Sequence, residues 1–187
     1  MIRTLFALAA FVLTLAGCGS VPPAPVDRFY RLQPVVLDLP AKALAGGVAL
    51  QPFRADSLYA ERPLVYGDEA NPRQLRQYHY HLWFYAPAQL VQDHLAASLG
   101  KLVDPAGKEN ASRLEGRILR FDRMLAGKSS KAVVALELRL MKGNKLILGK
   151  TYTAERMAAD ESVAAHVVAV EEALAAIYAE FLKDCAG

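Results

Sequence analysis

Two cysteines, four histidines and a single tryptophan are all that 187 residues hold of the side chains that build disulfide frameworks, metal sites and aromatic anchors. With two thiols no disulfide network is available, so the fold must stand on a hydrophobic core. Charge of one sign is missing as well: 22 Lys and Arg against 19 Asp and Glu leave a balance of +3. No basic block suggests nucleic acid. The familiar chemical motifs fail together, since the chain has no G-x-S-x-G elbow, no P-loop, no G-x-G-x-x-G and no H-E-x-x-H. These absences argue against the recognisable hydrolase, nucleotide-binding and zinc-protease classes, and the expectation is a non-enzyme without a cofactor. No internal repeat is visible.

What is present begins at the N-terminus. Arg3 precedes an apolar run from Leu5 to Leu15, the layout of a secretory signal peptide. The other reading, a membrane anchor with an incidental cysteine, meets a run too short for the ~20 apolar residues of a spanning helix. Leu15-Ala16-Gly17-Cys18 closes the run and resembles the bacterial lipobox. That resemblance implies a diacylglyceryl group on the Cys18 thiol, removal of residues 1–17 and acylation of the new amine. Each buried methylene contributes ~0.8 kcal/mol, so one acyl chain binds marginally and several hold durably. Gly19 and Ser20 follow the cysteine, where the enteric inner-membrane retention signal has Asp first. The resemblance therefore implies the periplasmic face of an outer membrane.

Removing residues 1–17 takes away Arg3 and leaves 187 − 17 = 170 residues with 21 basic and 19 acidic side chains. Residues 18–27, with Pro22, Pro23 and Pro25, read as a lipidated cysteine and an extended linker. Residues 28–187 are long enough for one domain with a real core. Cys185 is either an incidental residue on a frayed terminus or a thiol for an intermolecular bridge.

Periodicity sets the fold class. Val48 to Phe53 reads as a strand after Gly46-Gly47, and Arg62 to Tyr66 as another. Gly67 to Arg73, with Asn71-Pro72, reads as a loop. Gln74 to Phe84 is a long strand expected to form a hairpin with residues 62–66. On it Tyr78, Tyr80, Leu82 and Phe84 share one face, and Gln77, His79, His81 and Trp83 the other. A helix should start at Pro87, with Val91, His94, Leu95, Ser98, Leu99 and Leu102 facing inward. Residues 113–123 form a strand with a bulge or change of face near Leu119. Residues 132–141 and 146–155 make a hairpin around Gly143-Asn144.

The last element has the cleanest stripe: Val163, Val167, Val170, Leu174, Ile177 and Phe181 step by four and three. Asp160 and Glu161 suit its N-terminus and Lys183 its far end. Six buried sites at ~1.5–3 kcal/mol each outweigh helix propensity, so a core helix is preferred to an intermolecular coiled coil. The sum is α+β: a mostly antiparallel sheet with two main helices packed on one face.

His79-x-His81 is the one metal-like pattern, because residues two apart on a strand point to the same side. Its third and fourth ligands are missing, since His94 and His166 fall on helices, so no metal site is expected. The denser signal is aromatic, with five of the eight residues from Tyr78 to Tyr85 being Tyr, Trp or Phe. One face of that strand meets the helices. The other, with Trp83, His79 and His81, either stays exposed as an interface or is covered by residues 54–66. Trp83, His79 and His81, with Tyr66 and Arg62 on the neighbouring strand, are the candidate partner or lipid contacts.

Arg28-Phe29-Tyr30-Arg31-Leu32, then Val48 to Phe53, then Arg62-Pro63-Leu64-Val65-Tyr66, then Tyr78, Tyr80 and Trp83 leading into Ala86-Pro87-Ala88-Gln89-Leu90-Val91, form an ordered series. In that order they resemble the ABC-type transport auxiliary lipoproteins, the PqiC-like family that accompanies MCE-domain lipid transport systems. The loop from Gly67 to Pro72 matches nothing in the family. The resemblance implies a non-enzymatic outer-membrane lipoprotein whose domain docks on an MCE-domain protein for phospholipid movement, with assembly into a homo-oligomeric ring. Two other classes stay open. A lipoprotein activator of a cell-envelope synthase would be expected to need a longer reach than the ~30 residues from Cys18 to the first core strand. A periplasmic enzyme with an unrecognised site would need a concave cluster of titratable groups.

Overall fold

The computed structural model describes residues 24–38, 44, 46–104 and 112–186. Among these residues eight strands form one sheet, and two helices cover it. The strands are β1 (Arg28–Tyr30), β2 (Val48–Leu50), β3 (Arg54–Ala55), β4 (Pro63–Asp68), β5 (Asn71–Trp83), β6 (Ser112–Ala126), β7 (Ser129–Lys142) and β8 (Lys145–Met157). The helices are α1 (Pro87–Leu99) and α2 (Val163–Ala186), with short 3-10 turns at Ser57–Ala60 and Gly100–Leu102. No helix among the described residues is long and apolar enough to cross a membrane.

The spine is the meander β6-β7-β8. Both of its connections are two residues long and begin with a glycine at positive φ, Gly127 at 59° and Gly143 at 59°. Two-residue hairpin loops need that left-handed start to match strand twist, and glycine adopts it without a Cβ penalty. β7 is buried along most of its length, so Val133 and Ala135 on one face are as covered as Val134 and Leu136 on the other. The expected bulge near Leu119 is present as a register shift between Ile118 and Arg120.

On its other side β6 is lined end to end by three short strands, all parallel to it: β2 beside Ser112–Leu114, β3 beside Arg117–Ile118, and β4 beside Asp122–Leu125. β4 then pairs antiparallel with β5, and β5 pairs in parallel with the edge strand β1. The sheet is therefore mixed, not mostly antiparallel. Alternation within a strand reports its faces and says nothing about the direction of its neighbour, so four parallel pairings had no local signal.

Other boundaries also move. The expected loop over 67–73 is strand on both sides of a turn at Glu69 and Ala70, with Pro72 inside β5. Proline is tolerated there because β1 reaches only His81 to Trp83, leaving the earlier part of β5 as a sheet edge. β1 and β3 were not anticipated as strands; both are too short for periodicity to register.

One hydrophobic cluster joins the two helices to the sheet. Val91, Leu95 and Leu99 of α1 enter it together with all six stripe residues of α2, from Val163 to Phe181. Ser162 precedes α2 as its cap, its hydroxyl accepting from the Ala165 N–H at 3.0 Å, while the Asp160 carboxylate accepts from the Ser162 N–H at 2.7 Å. The helix continues through Ala186 and so includes Cys185. Its half-buried thiol is pushed up to about 11 by burial and by Asp184, which keeps it protonated and poorly reactive at neutral pH.

Gly116 marks the tightest point of this packing. A Cβ there would lie 2.5 Å from the Phe53 ring, which the segment between β2 and β3 lays over β6. Gly116→Ala should therefore destabilise by roughly 1–3 kcal/mol through overpacking, read as a lower melting temperature. Adding Phe53→Leu should recover part of the loss; an unaltered Gly116→Ala melt would show that the ring does not sit there.

Candidate functional site

Strand parity makes Trp83 and Leu82 face opposite ways, and the core takes Trp83. Its indole is 1% exposed, with its ring centre 5.1 Å from that of Phe121. Of the two readings left open for Trp83, exposed interface or covered residue, burial holds and removes it from the candidate contacts: a large apolar ring gains more from the core than a rim of polar neighbours could offer. The residues expected inward, Tyr80 and Phe84, are instead 44% and 41% exposed.

The aromatic strand therefore presents its other side. β1 pairs with β5 in the register Phe29 with Leu82 and Tyr30 with Trp83. Tyr30 consequently goes inward with Trp83, and Phe29 goes outward with Leu82. Two arginines lie on the resulting aromatic face. The Arg62 guanidinium sits 5.1 Å from the Phe29 ring centre, and Arg31 sits 5.1 Å from that of Phe84. Arg62 is held there by its Nε, which donates to the Trp83 carbonyl at 3.1 Å. Tyr85 meets Phe84 edge to face at 4.8 Å. Beside it Leu32, Pro34, Leu90 and Ala97 line an open groove of about 260 Å³. Of the expected contacts only Arg62 belongs to this face.

The remaining expected contacts scatter. His79 is exposed, whereas the His81 Nδ1 lies 2.8 Å from the Tyr30 hydroxyl and its ring meets Tyr78 edge to face. Burial, then Arg28 and Arg123, hold the His81 imidazole below its usual range. The Tyr66 ring meets that of Tyr78 at a tilt, with centres 4.4 Å apart. Among the described residues no group of three or more His, Cys, Asp or Glu is placed to hold a metal. Cys18 lies outside the described residues.

The buried polar groups join elements of the fold. Arg123, 4% exposed, donates to the Ser130 hydroxyl at 3.1 Å, the Tyr78 hydroxyl at 3.0 Å and the Glu161 carbonyl at 2.5 Å, tying β6 to β7, β5 and the start of α2. Asp122 accepts from the Tyr59 hydroxyl and from Arg120. His94 is neutral, its basicity lowered by burial. Its Nε2–H donates to the Gln33 carbonyl at 2.9 Å, which leaves Nδ1 to accept from the Tyr178 hydroxyl at 3.1 Å, so α1, α2 and the segment after β1 meet at one imidazole. His166 is buried with its Nδ1 unpartnered, and burial followed by Arg123 pushes its pKa down to about 3.

Sequence reasoning missed Phe29, Arg31, Phe84 and Tyr85 as a surface. A signal existed in the aromatic run itself, but parity left open which face the helices would cover.

The model of the ABC-type transport auxiliary lipoprotein component family matches residues 30–181. The crystal structure of a Xanthomonas campestris protein assigned to the DUF330 family superposes with a TM-score of 0.70 at 17% identity, covering 83% of this chain and 92% of that one. A second crystal structure, of an uncharacterised protein, gives 0.69 at 14% identity and covers 86% and 99%. At such identities both speak for the fold alone. No curated protein matches the sequence.

Proposed function

This chain belongs to the ABC-type transport auxiliary lipoprotein family, and from that premise we propose that it is a non-enzymatic docking module, acyl-anchored through Cys18 to the periplasmic face of an outer membrane. Its partner is the MCE-domain protein of an ABC-type phospholipid transport system, and several copies act together as a homo-oligomer. One observation carries the reading: the first strand, β1, begins at Arg28, ten positions after Cys18, and is already part of the sheet. The folded domain thus begins only ten positions beyond Cys18. So short a tether raises the concentration of the domain near anything else held at that membrane without a new contact.

The tether is far shorter than the span to Val48 on which the first core strand was expected, which argues further against an activator that must reach a distant synthase. The buried polar groups support a non-catalytic role, because Arg123, Asp122 and His94 are spent on bonds between structural elements. The acylated chain should co-purify the MCE-domain protein from detergent-solubilised envelopes. Recovery of a cell-wall synthase in its place would overturn the proposal.

A further inference from the structure

The outward face at the β1–β5 edge combines half-exposed rings with arginines. Phe29 is 52% exposed, Phe84 41% and Tyr85 43%, and the first two of these rings each carry an arginine. Neither Arg31 nor Arg62 is within 4.0 Å of a carboxylate among the described residues. Acidic side chains are close at hand: Asp93 lines the adjacent groove, Asp27 precedes β1, and Glu61 accepts from Gln77. The face is therefore not simply basic; its distinguishing feature is planar guanidinium groups laid over half-exposed rings. Rings with one wet side belong at the headgroup level of a bilayer. Guanidinium groups bind phosphate through paired N–H donors and keep their stems on apolar surface.

Position selects the occupant. The face begins at the residue where the tether ends, and ten residues extend at most ~35 Å, so β1 is the part of the domain held closest to the acylated cysteine. A protein partner would have no reason to be tied to the tether's end, whereas the membrane is there by construction.

We propose that the β1–β5 edge, through Phe29, Phe84 and Tyr85 with Arg31 and Arg62, rests in the phospholipid headgroup layer of the membrane that holds Cys18, and so fixes the orientation of the domain above it. The proposal builds on acylation of Cys18. Orientation follows because a three-residue edge strand and a short tether give the body one seat, with β8 at the opposite edge of the sheet pointing away.

The test uses the acylated full chain in vesicles of phosphatidylethanolamine and phosphatidylglycerol, with Cys185→Ser to leave a single free thiol. An environment-sensitive dye is placed through Tyr85→Cys or, as the reference, through Thr151→Cys on β8. The Tyr85 probe should shift to the blue and be quenched by nitroxide-labelled lipid, and the Thr151 probe should do neither. Adding Phe29→Ser, Arg31→Glu and Phe84→Ser should abolish the shift with the melting temperature and acyl mass preserved. An acylated chain whose Tyr85 probe matches the Thr151 probe overturns the inference and leaves the docking role standing. A shift seen only after the MCE-domain protein is added makes the face a protein dock and overturns it too. A Cys18 without acyl mass overturns both readings.

Discussion

Replacing Trp83 with alanine should lower the melting temperature by on the order of 10 °C. Emptying a buried aromatic site typically costs ~3–5 kcal/mol, and a domain of this size loses a few degrees per kcal/mol. Trp83 is 1% exposed and lies against Phe121 in the cluster that joins both helices to the sheet, so little can collapse into the space. Its neighbour supplies the control. Phe84→Ala, one position along and 41% exposed, should move the melt by no more than about 2 °C, the usual range for surface changes of ~0.5 kcal/mol. Thermal melts of the two variants side by side check the assignment of faces directly, and equal shifts would show it to be wrong.

Cys18→Ser should have the largest effect of all on where the protein is found. Without the thiol there is no acceptor for the diacylglyceryl group, and the precursor should keep residues 1–17. Labelling by a fatty-acid analogue should drop to background. The remaining apolar leader is too short to span comfortably, so the variant should leave the outer-membrane fraction. The folded domain should be unaffected, because the nearest strand starts ten positions later. Persistent labelling of the variant would place the acyl group elsewhere and remove the anchor on which the proposed role depends.

The family resemblance, read from short segments in order, corresponds to a match over residues 30–181. Its strength lay in order and not in any single motif. Where two readings stayed open, at Trp83, the cause is specific: period-two alternation sorts β5 into two faces but is symmetric between them. The register across the β4–β5 hairpin adds a complication, since Pro63 pairs with Leu82 while Val65 pairs with Gln77, leaving residues 78 to 81 without individual partners on β4. Within this irregular stretch the Tyr78 hydroxyl accepts from Arg123, a contact that alternation alone could not indicate.

By itself the sequence determined the α2 stripe, the start of α1 at Pro87, the β7–β8 hairpin and the bulge near Leu119. Each of these is local: helical spacing or a turn glycine acts on residues a few positions apart, and the chain carries that information wherever it is read. Tertiary structure alone decided that β2, β3 and β4 line β6 in parallel, that β1 joins the sheet, and that Trp83 faces the helices while Phe29 and Phe84 face out. Those choices depend on which of two chemically similar faces is covered by elements far away in sequence. The energy that makes the choice, burial of the larger apolar side, exists only once helices and sheet have met.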